Sequence, residues 1–279
     1  MGETVNLSPS PRTGEGRRRA WRPGIAIWLS AGFHIAALIA LLARPQWWPS
    51  ILTALVLNHV VLALIGLWPR SRLLGANMLR LPDAAASRNE IALTFDDGPD
   101  PDVTPKVLDI LDAHHAKASF FVIGDKAAAH PDLIREIVRR GHSIENHSRK
   151  HSNVFGFFAW TALRDDIGTA QEIIAGITGN APSFFRSPMG IRNPLLDPVI
   201  ARLGLHYITW TRRGFDTVAR DPAIVLERLT RNLRTGDILL LHDRPSRNRR
   251  AIVLEVLPAL LDEIAAAGLK PVSLPMAML

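Results

Sequence analysis

The stretch from Ile91 to Pro99 reads IALTFDDGP, and it decides how the rest of the chain is interpreted. Its first five residues are apolar or β-branched, a composition that favours a buried β-strand. Two carboxylates and a Gly-Pro pair follow at once, as is typical where a chain leaves a strand for a loop. We therefore expect a strand over residues 91–95 with polar side chains at its C-terminal end.

After this strand, short apolar runs alternate with longer amphipathic runs. The short runs predict strands near residues 118–123, 143–145, 184–185, 206–210, 237–241 and 270–274. Amphipathic runs between them predict helices, among them Pro105 to His115, Ala162 to Ile177 and Ala251 to Ala267. Strands that alternate with helices imply parallel pairing, so the fold class is α/β, as a barrel or a doubly wound sheet.

Two long runs without a charged residue precede this α/β part, Gly24 to Ala43 and Pro49 to Trp68. Each is about 20 residues long, enough for a helix to cross a hydrocarbon core of roughly 30 Å. The short linker between them predicts an antiparallel transmembrane hairpin with tryptophans near its ends. A secretory signal is the alternative, but the first run exceeds the usual length of about 7–15 residues and no small-residue cleavage site follows.

The arginines predict the orientation of this hairpin. Five arginines precede the first run, three follow the second run before residue 83, and only Arg44 lies between the runs. The positive-inside rule then predicts that both termini and the α/β part lie on the cytoplasmic side of a bacterial-type inner membrane. The net charge of +7 would also suit a nucleic-acid-binding protein. No basic stripe is interleaved with aromatic residues, however, so nucleic acid is not expected as a partner.

Four regions follow from these patterns. We expect a basic disordered tail over 1–22, two transmembrane helices over 23–69, a linker over 70–88 and the α/β domain over 89–279. The chain has no cysteine, which rules out a disulfide scaffold, a thiolate metal cage and a cysteine nucleophile.

Polar clusters come directly after several of the predicted strands. They are Asp96 to Pro99, His147 to His151, Arg186 to Gly190, and His242 with Asp243. An α/β barrel places its active-site loops at the C-terminal ends of its strands. We therefore expect these clusters to meet at one site.

His147 and His151 are four residues apart, which in a helical turn puts both imidazoles on one side. With one nearby carboxylate they would form a site of three protein ligands and an open position, as hydrolytic metal sites have. A solvated pair of histidines in a loop is the alternative. This ligand set suits zinc, cobalt, nickel or iron; we take zinc as the working expectation for the divalent ion.

The remaining candidates have a structural interpretation beside the chemical one. Asp96 and Asp97 would point apart in an extended chain and divide the work, or else cap a turn. Arg186 would hold a carboxylate base ionised, or form a surface salt bridge. His242 follows three leucines, so it is either a buried core histidine or, in a metal hydrolase, the acid that protonates a leaving amine.

Four of these segments, TFDDGP over 94–99, HSRKH over 147–151, RSPMG over 186–190 and LLH over 240–242, resemble motifs of the polysaccharide deacetylases. This family is carbohydrate esterase family 4, whose members share the NodB homology domain. The motifs occur in the family's order, and the resemblance covers residues 89–274. It implies a distorted (β/α) barrel with fewer than eight repeats and metal-dependent removal of acyl groups from N-acylated sugars.

The resemblance also implies roles for individual residues. Asp96 matches the catalytic base, and His242 matches the acid that protonates the departing nitrogen. The metal ligands are matched by Asp97, His147 and His151.

One motif departs from the family pattern. An Asp-x-x-Asp-Trp stretch is usual, whereas residues 213–217 read RGFDT. Asp216 keeps the second carboxylate, and the resemblance implies that it tethers Arg186, the residue that positions the base. Arg213 and Thr217 replace the first Asp and the Trp, which affects the expected wall of the sugar pocket and leaves the metal chemistry in place. Arg213 either faces an anionic group such as a phosphate or is exposed without a special role.

The two parts of the chain together predict the partners. A cytoplasmic barrel on a membrane hairpin would reach an N-acylated amino sugar, acetylated or formylated, in a glycan or a lipid-linked saccharide such as one on polyprenyl phosphate, with the lipid bilayer as second partner. Two alternatives are a deacetylase of peptidoglycan or exported polysaccharide on the outer side, and a catalytically inactive carbohydrate- or lipid-binding membrane module.

Overall fold

The computed structural model describes residues 20–246 and 249–279. The expected basic tail over 1–22 falls outside the described residues except for its last three. The described part consists of two long N-terminal helices followed by an α/β body.

Eight strands form one sheet in which all pairings are parallel. The strands are β1 (Glu90–Asp96), β2 (Ser119–Val122), β3 (Ser143–Asn146), β4 (Phe184–Phe185), β5 (His206–Tyr207), β6 (Arg212–Arg213), β7 (Ile238–His242) and β8 (Lys270–Val272). Their order is β5-β4-β3-β2-β1-β7-β6, with β8 also paired to β1. The sheet is curled into an incomplete barrel, which confirms the expected fold class.

Eleven α-helices are described. They are α1 (Ile25–Ala43), α2 (Trp48–Leu67), α3 (Asp83–Ser87), α4 (Thr104–Ala113), α5 (Gly124–Ala129), α6 (Pro131–Arg139), α7 (Trp160–Thr178), α8 (Leu196–Arg202), α9 (Pro222–Thr230), α10 (Ile252–Ala266) and α11 (Leu274–Ala277). Helices α4, α6, α9 and α10 contribute apolar faces to the largest core cluster, which covers the outer face of the sheet.

The central strand β1 shows how the sequence separates core from site. Ile91, Leu93 and Phe95 point outward into the core that the helices cover. Side chains alternate along a strand, so Thr94 and Asp96 point into the barrel interior instead. The interior therefore receives a hydroxyl and a carboxylate from the strand in the middle of the sheet.

The helices α1 and α2 lie side by side as a hairpin. The side-chain amide of Asn58 donates to Ser30 Oγ at 2.8 Å, and the rings of His34 and His59 meet edge to face at 5.2 Å between centroids. Most of the remaining side chains are apolar and exposed. By length and composition both helices could span a membrane.

The chain between the hairpin and the barrel is packed onto the barrel. Met78 forms a parallel bridge with Ile208, and the Asn77 side chain accepts from Thr209 Oγ1 at 3.0 Å. At the start of α1, the Ala26 N–H donates to Leu73 O at 3.0 Å. These contacts connect the hairpin to the barrel through the chain between them.

Several elements differ from the expectations, and helices α3 and α11 are two that the sequence patterns do not predict. The strand expected over 206–210 ends at Tyr207, because the next residues pair with Met78 outside the main sheet. Helix α5 was not predicted, since its GDKAAA sequence has no amphipathic period. The two-residue strand β6 is not predicted from the sequence, and its second residue, Arg213, begins the 213–217 segment that departs from the family motif.

Candidate active site

The C-terminal ends of β1, β3, β4 and β7 meet at one edge of the sheet. They are followed by the four polar clusters, and a pocket of about 250 Å³ opens there. Asp96, Asp97, His147, His151 and His242 all line this pocket. The structure thus brings together five of the seven predicted site residues at one surface, with Arg186 and Asp216 directly behind it.

Asp97 and the two histidines form a compact group of metal-ligating side chains. Asp97 Oδ1 lies 3.3 Å from His147 Nε2 and 3.2 Å from His151 Nε2. One ligand atom from each residue lies within 4.8 Å of the other two. Asp97 Oδ1 is buried and has no hydrogen-bond partner, so the donor set fits a divalent cation bound between these three groups.

Local backbone geometry brings Asp97 to the same pocket as its neighbour Asp96. Asp97 has φ +73°, a left-handed conformation that aspartate adopts more readily than most residues. Lys126 Nζ donates to its backbone oxygen at 2.7 Å, and Arg244 Nε donates to its Oδ2 at 2.6 Å. Asp96 stays in the strand and points into the barrel, and its Oδ2 lies 3.8 Å from His147 Nε2, the atom that Asp97 Oδ1 approaches to 3.3 Å. The two carboxylates therefore converge on one pocket and do not point apart.

The environment of Asp97 keeps the carboxylate ionised. Burial alone would raise the pKa of Asp97, but the close contact with His147 and the positive charge of His147, His242 and His151 lower it well below its usual range. An ionised carboxylate is the form that binds a cation.

His147 is oriented by a backbone carbonyl. Its Nδ1 lies 2.8 Å from Arg186 O, and the ring is almost fully buried. A hydrogen bond from Nδ1–H to that carbonyl leaves the lone pair on Nε2, which faces Asp97. This outer contact selects the tautomer that can bind a metal.

Arg186 is fully buried beneath Asp96. Its Nη1 donates to Asp96 Oδ1 at 2.6 Å and to Thr94 Oγ1 at 3.0 Å, and its Nη2 donates to Thr209 O at 3.0 Å. The guanidinium also lies 4.1 Å from the centre of the Phe121 ring. Arg186 therefore fixes the position of the Asp96 carboxylate.

Asp216 does not tether Arg186, which corrects that expectation. Its Oδ1 accepts from His242 Nδ1, and its Oδ2 accepts from the His242 backbone N–H, both at 2.8 Å. Both Nη atoms of Arg186 donate to other groups, and its Nε is buried without a hydrogen-bond partner. The turn at Phe215, with φ +59°, carries the carboxylate of Asp216 to the end of β7 instead.

This pairing sets the protonation of His242. Burial would lower the pKa of His242, but the charge and hydrogen bond of Asp216 outweigh it and raise the pKa above its ordinary value. A histidine whose Nδ1–H is held by a buried carboxylate keeps its Nε2 free for proton transfer at the pocket.

Sequence reasoning missed Arg244 and the contribution of Thr94. Arg244 lines the pocket and holds Asp97, yet it lies outside the motifs as they were described. Its only signal is its position two residues after His242. Thr94 belongs to the first motif, but nothing in the sequence shows that its hydroxyl meets Arg186.

The chain is similar to proteins of one family. Residues 83–208 match the family model described as polysaccharide deacetylase. The matched range contains Asp96, Asp97 and both histidines of the candidate metal site and ends before His242.

Two curated relatives and one solved structure extend the match. A Bacillus cereus protein named peptidoglycan-N-acetylglucosamine deacetylase is 31% identical over 196 residues, which cover 68% of this chain and 68% of the relative. A chitooligosaccharide deacetylase of Bradyrhizobium sp. is 35% identical over 162 residues, covering 58% of this chain and 73% of the relative. The structure of a peptidoglycan N-acetylglucosamine deacetylase bound to an N-oxidanyl-benzamide superposes with a TM-score of 0.67 at 28% identity, over 72% of this chain and 92% of that one.

Proposed function

The chain belongs to the polysaccharide deacetylase family, and on that premise we propose that it hydrolyses the N-acyl group, an acetyl in the first instance, of an amino sugar in a glycan or lipid-linked saccharide. One observation carries the proposal. Asp97, His147 and His151 converge at a pocket that Asp96 and His242 also line. Every group needed for metal-assisted amide hydrolysis is therefore within one small volume.

The metal would be held by Asp97 Oδ1 and by the Nε2 atoms of His147 and His151. Two imidazoles and one carboxylate suit zinc, with cobalt, nickel and iron as alternatives. When bound, a divalent ion supplies Lewis acidity toward the amide carbonyl and the attacking water. Three protein ligands leave coordination positions open for both.

Asp96 is the proposed base. Its carboxylate lies beside the metal-ligating group, with Oδ2 at 3.8 Å from His147 Nε2. Its Oδ1 is occupied by Arg186, so Oδ2 is left to take the proton of the water that attacks the carbonyl carbon. The ion pair with Arg186 prevents rotation of the carboxylate.

His242 is the proposed acid. The amide C–N bond breaks as the protonated ring transfers a proton to the departing sugar nitrogen, which leaves a free amine and a carboxylic acid. Asp216 stabilises the protonated ring and fixes its orientation, as the carboxylate of a catalytic triad does for its histidine.

The hairpin is proposed to anchor the barrel to a membrane, with the barrel on the cytoplasmic side. The exposed apolar surface of α1 and α2 supports insertion, and the arginine distribution supports that orientation. The name of the Bacillus cereus relative favours the alternative, a deacetylase on the outer side acting on peptidoglycan. Maleimide labelling of single cysteines introduced in the hairpin turn and on the barrel would separate these two orientations.

The activity is tested with full-length protein loaded with zinc and an N-acetylated chitooligosaccharide, by measuring released acetate. Asp97→Asn should lose most of the turnover, because the amide is a weak metal ligand. The matched control is Asp132→Asn, an exposed carboxylate in a surface ion pair, which should keep wild-type turnover. Equal turnover in both variants, or no acetate from zinc-loaded wild type with any N-acetylated saccharide, would contradict the proposal.

A further inference from the structure

The wall of the pocket is packed against the chain that leaves the second apolar helix. Gly190 lines the pocket with φ +75°. A β-carbon at this position would lie 2.8 Å from Pro69 Cβ and 2.7 Å from the Trp210 ring. The backbone of the pocket wall therefore touches the second residue after α2.

Two hydrogen bonds extend this contact. The Arg192 N–H donates to Gly66 O at 3.1 Å, inside the last turn of α2, and Arg70 Nε donates to Trp210 O at 3.2 Å. Trp210 also lines the pocket. The end of the hairpin and the pocket wall thus form one packed unit.

This arrangement places the pocket at the bilayer surface when the hairpin is inserted. Trp68, at the end of α2, is exposed, as a tryptophan at the level of the lipid headgroups would be. The lining of the pocket includes two exposed apolar side chains: Met189 is 39% exposed, and Val218 is 60% exposed. A substrate carried in the leaflet would reach the pocket without leaving the membrane.

Arg213 brings a positive charge to the pocket, and no residue within the described ranges forms an ion pair with it. Its guanidinium lies 5.2 Å from the Trp210 ring centre and 4.7 Å from that of Phe215, and its Nε is buried without a hydrogen-bond partner. Its side chain forms no ion pair or hydrogen bond within residues 20–246 and 249–279.

The other two arginines at the site are paired. Arg186 is bound to Asp96 and Arg244 to Asp97. A half-buried cation without a partner is costly unless a ligand supplies the opposite charge. Guanidinium groups bind phosphate oxygens through paired, charge-assisted hydrogen bonds.

We infer that the amino sugar is joined to a membrane lipid through a phosphate, and that Arg213 binds this phosphate while the acyl group faces the metal-ligating residues. The inference rests on the proposed function and adds the class of substrate. Recognition of the phosphate would select the sugars that bind in the pocket, and the hairpin would hold the pocket at the membrane surface where these sugars lie.

The test compares three ligands that carry the same N-acetylated sugar. One is linked through phosphate to a polyprenyl chain, one is an alkyl glycoside of similar chain length without phosphate, and one is the soluble sugar 1-phosphate. Affinity is measured on metal-free, full-length protein in phospholipid nanodiscs, and acetate release is measured on the zinc-loaded protein.

The phosphate-linked lipid should bind about tenfold or more tightly than either of the other ligands. Arg213→Gln should remove its advantage over the alkyl glycoside, and Arg213→Lys should keep part of it. Arg135→Gln, at an exposed surface arginine paired with Asp132, is the matched control and should keep the whole advantage.

Two results would overturn the inference. Equal affinity for the phosphate-linked lipid and the alkyl glycoside would exclude phosphate recognition, and equal affinity for the phosphate-linked lipid and the soluble sugar phosphate would exclude presentation from the membrane. If the expected order of affinities holds but no acetate is released from any ligand, the proposed deacetylation fails while the recognition by Arg213 stands.

Discussion

The carboxylate of Asp216 holds His242 by two bonds, one to the ring Nδ1 and one to the backbone N–H, each 2.8 Å long. Both residues are buried. The ring is therefore fixed in orientation at the end of β7, and its positive form is stabilised. Asp216 is therefore the main partner that raises the pKa of His242, and the charges of Asp97 and Asp96 contribute less.

Asp216→Asn should move the alkaline limit of activity to lower pH. His242 must be protonated to act as an acid, so activity falls as pH rises through its pKa. Burial lowers that pKa, and Asp216 raises it more than Asp97 and Asp96 do, so without the charge of Asp216 the effect of burial is opposed less strongly. The kcat/KM profile should show the descending limb shifted by about one pH unit or more.

The control for this measurement is Asp102→Asn, which removes an exposed carboxylate away from the pocket. Its profile should match that of the wild type. A descending limb that stays in place in Asp216→Asn would remove His242 from the role of acid.

Arg186→Met should destabilise the fold as well as stop the reaction. It leaves Asp96 charged and buried without its partner, which costs roughly 3 kcal/mol or more. The unfolding temperature in detergent should fall by about 6 °C or more. Asp96→Asn combined with Arg186→Met should recover much of this loss, because no unpaired charge remains, while activity stays absent.

The double variant separates a specific ion pair from general packing. Arg186→Met and the double variant could instead unfold at the same temperature. Arg186 would then stabilise the protein through its packing on Phe121, and its ion pair with Asp96 would contribute little.

The absence of cysteine allows a direct test of topology. Gln46→Cys lies in the turn between α1 and α2, and Thr161→Cys lies on the exposed surface of the barrel. With the barrel in the cytoplasm, an impermeant maleimide should label Gln46→Cys in intact cells and Thr161→Cys only after lysis. The reverse pattern would place the barrel outside and support the peptidoglycan alternative.

The sequence predicted well those features that depend on local pattern. The alternation of Ile91, Leu93 and Phe95 with Thr94 already separates the two faces of β1. The motifs at the strand ends predicted Asp97, His147 and His151 at one place, because parallel strands end at the same edge of a sheet.

The features that the sequence did not predict depend on contacts between distant segments. Asp216 forms its hydrogen bonds with His242 and not with Arg186, because the turn at Phe215 carries its carboxylate to the end of β7. The contact between Pro69 and Gly190 joins two segments that lack any periodic pattern. The lack of a hydrogen-bond partner at Arg213 Nε likewise depends on residues that surround it in the fold, and it cannot be predicted from the residues next to it in the sequence.

Asp97, His147 and His151 should together bind one divalent metal, which elemental analysis of the purified full-length protein can measure. After dialysis against zinc and then metal-free buffer, the wild type should hold about one ion per chain. His130→Ala, a histidine outside the pocket, should hold the same amount, and His151→Ala should lose most of it. Equal metal content in all three proteins would contradict the account.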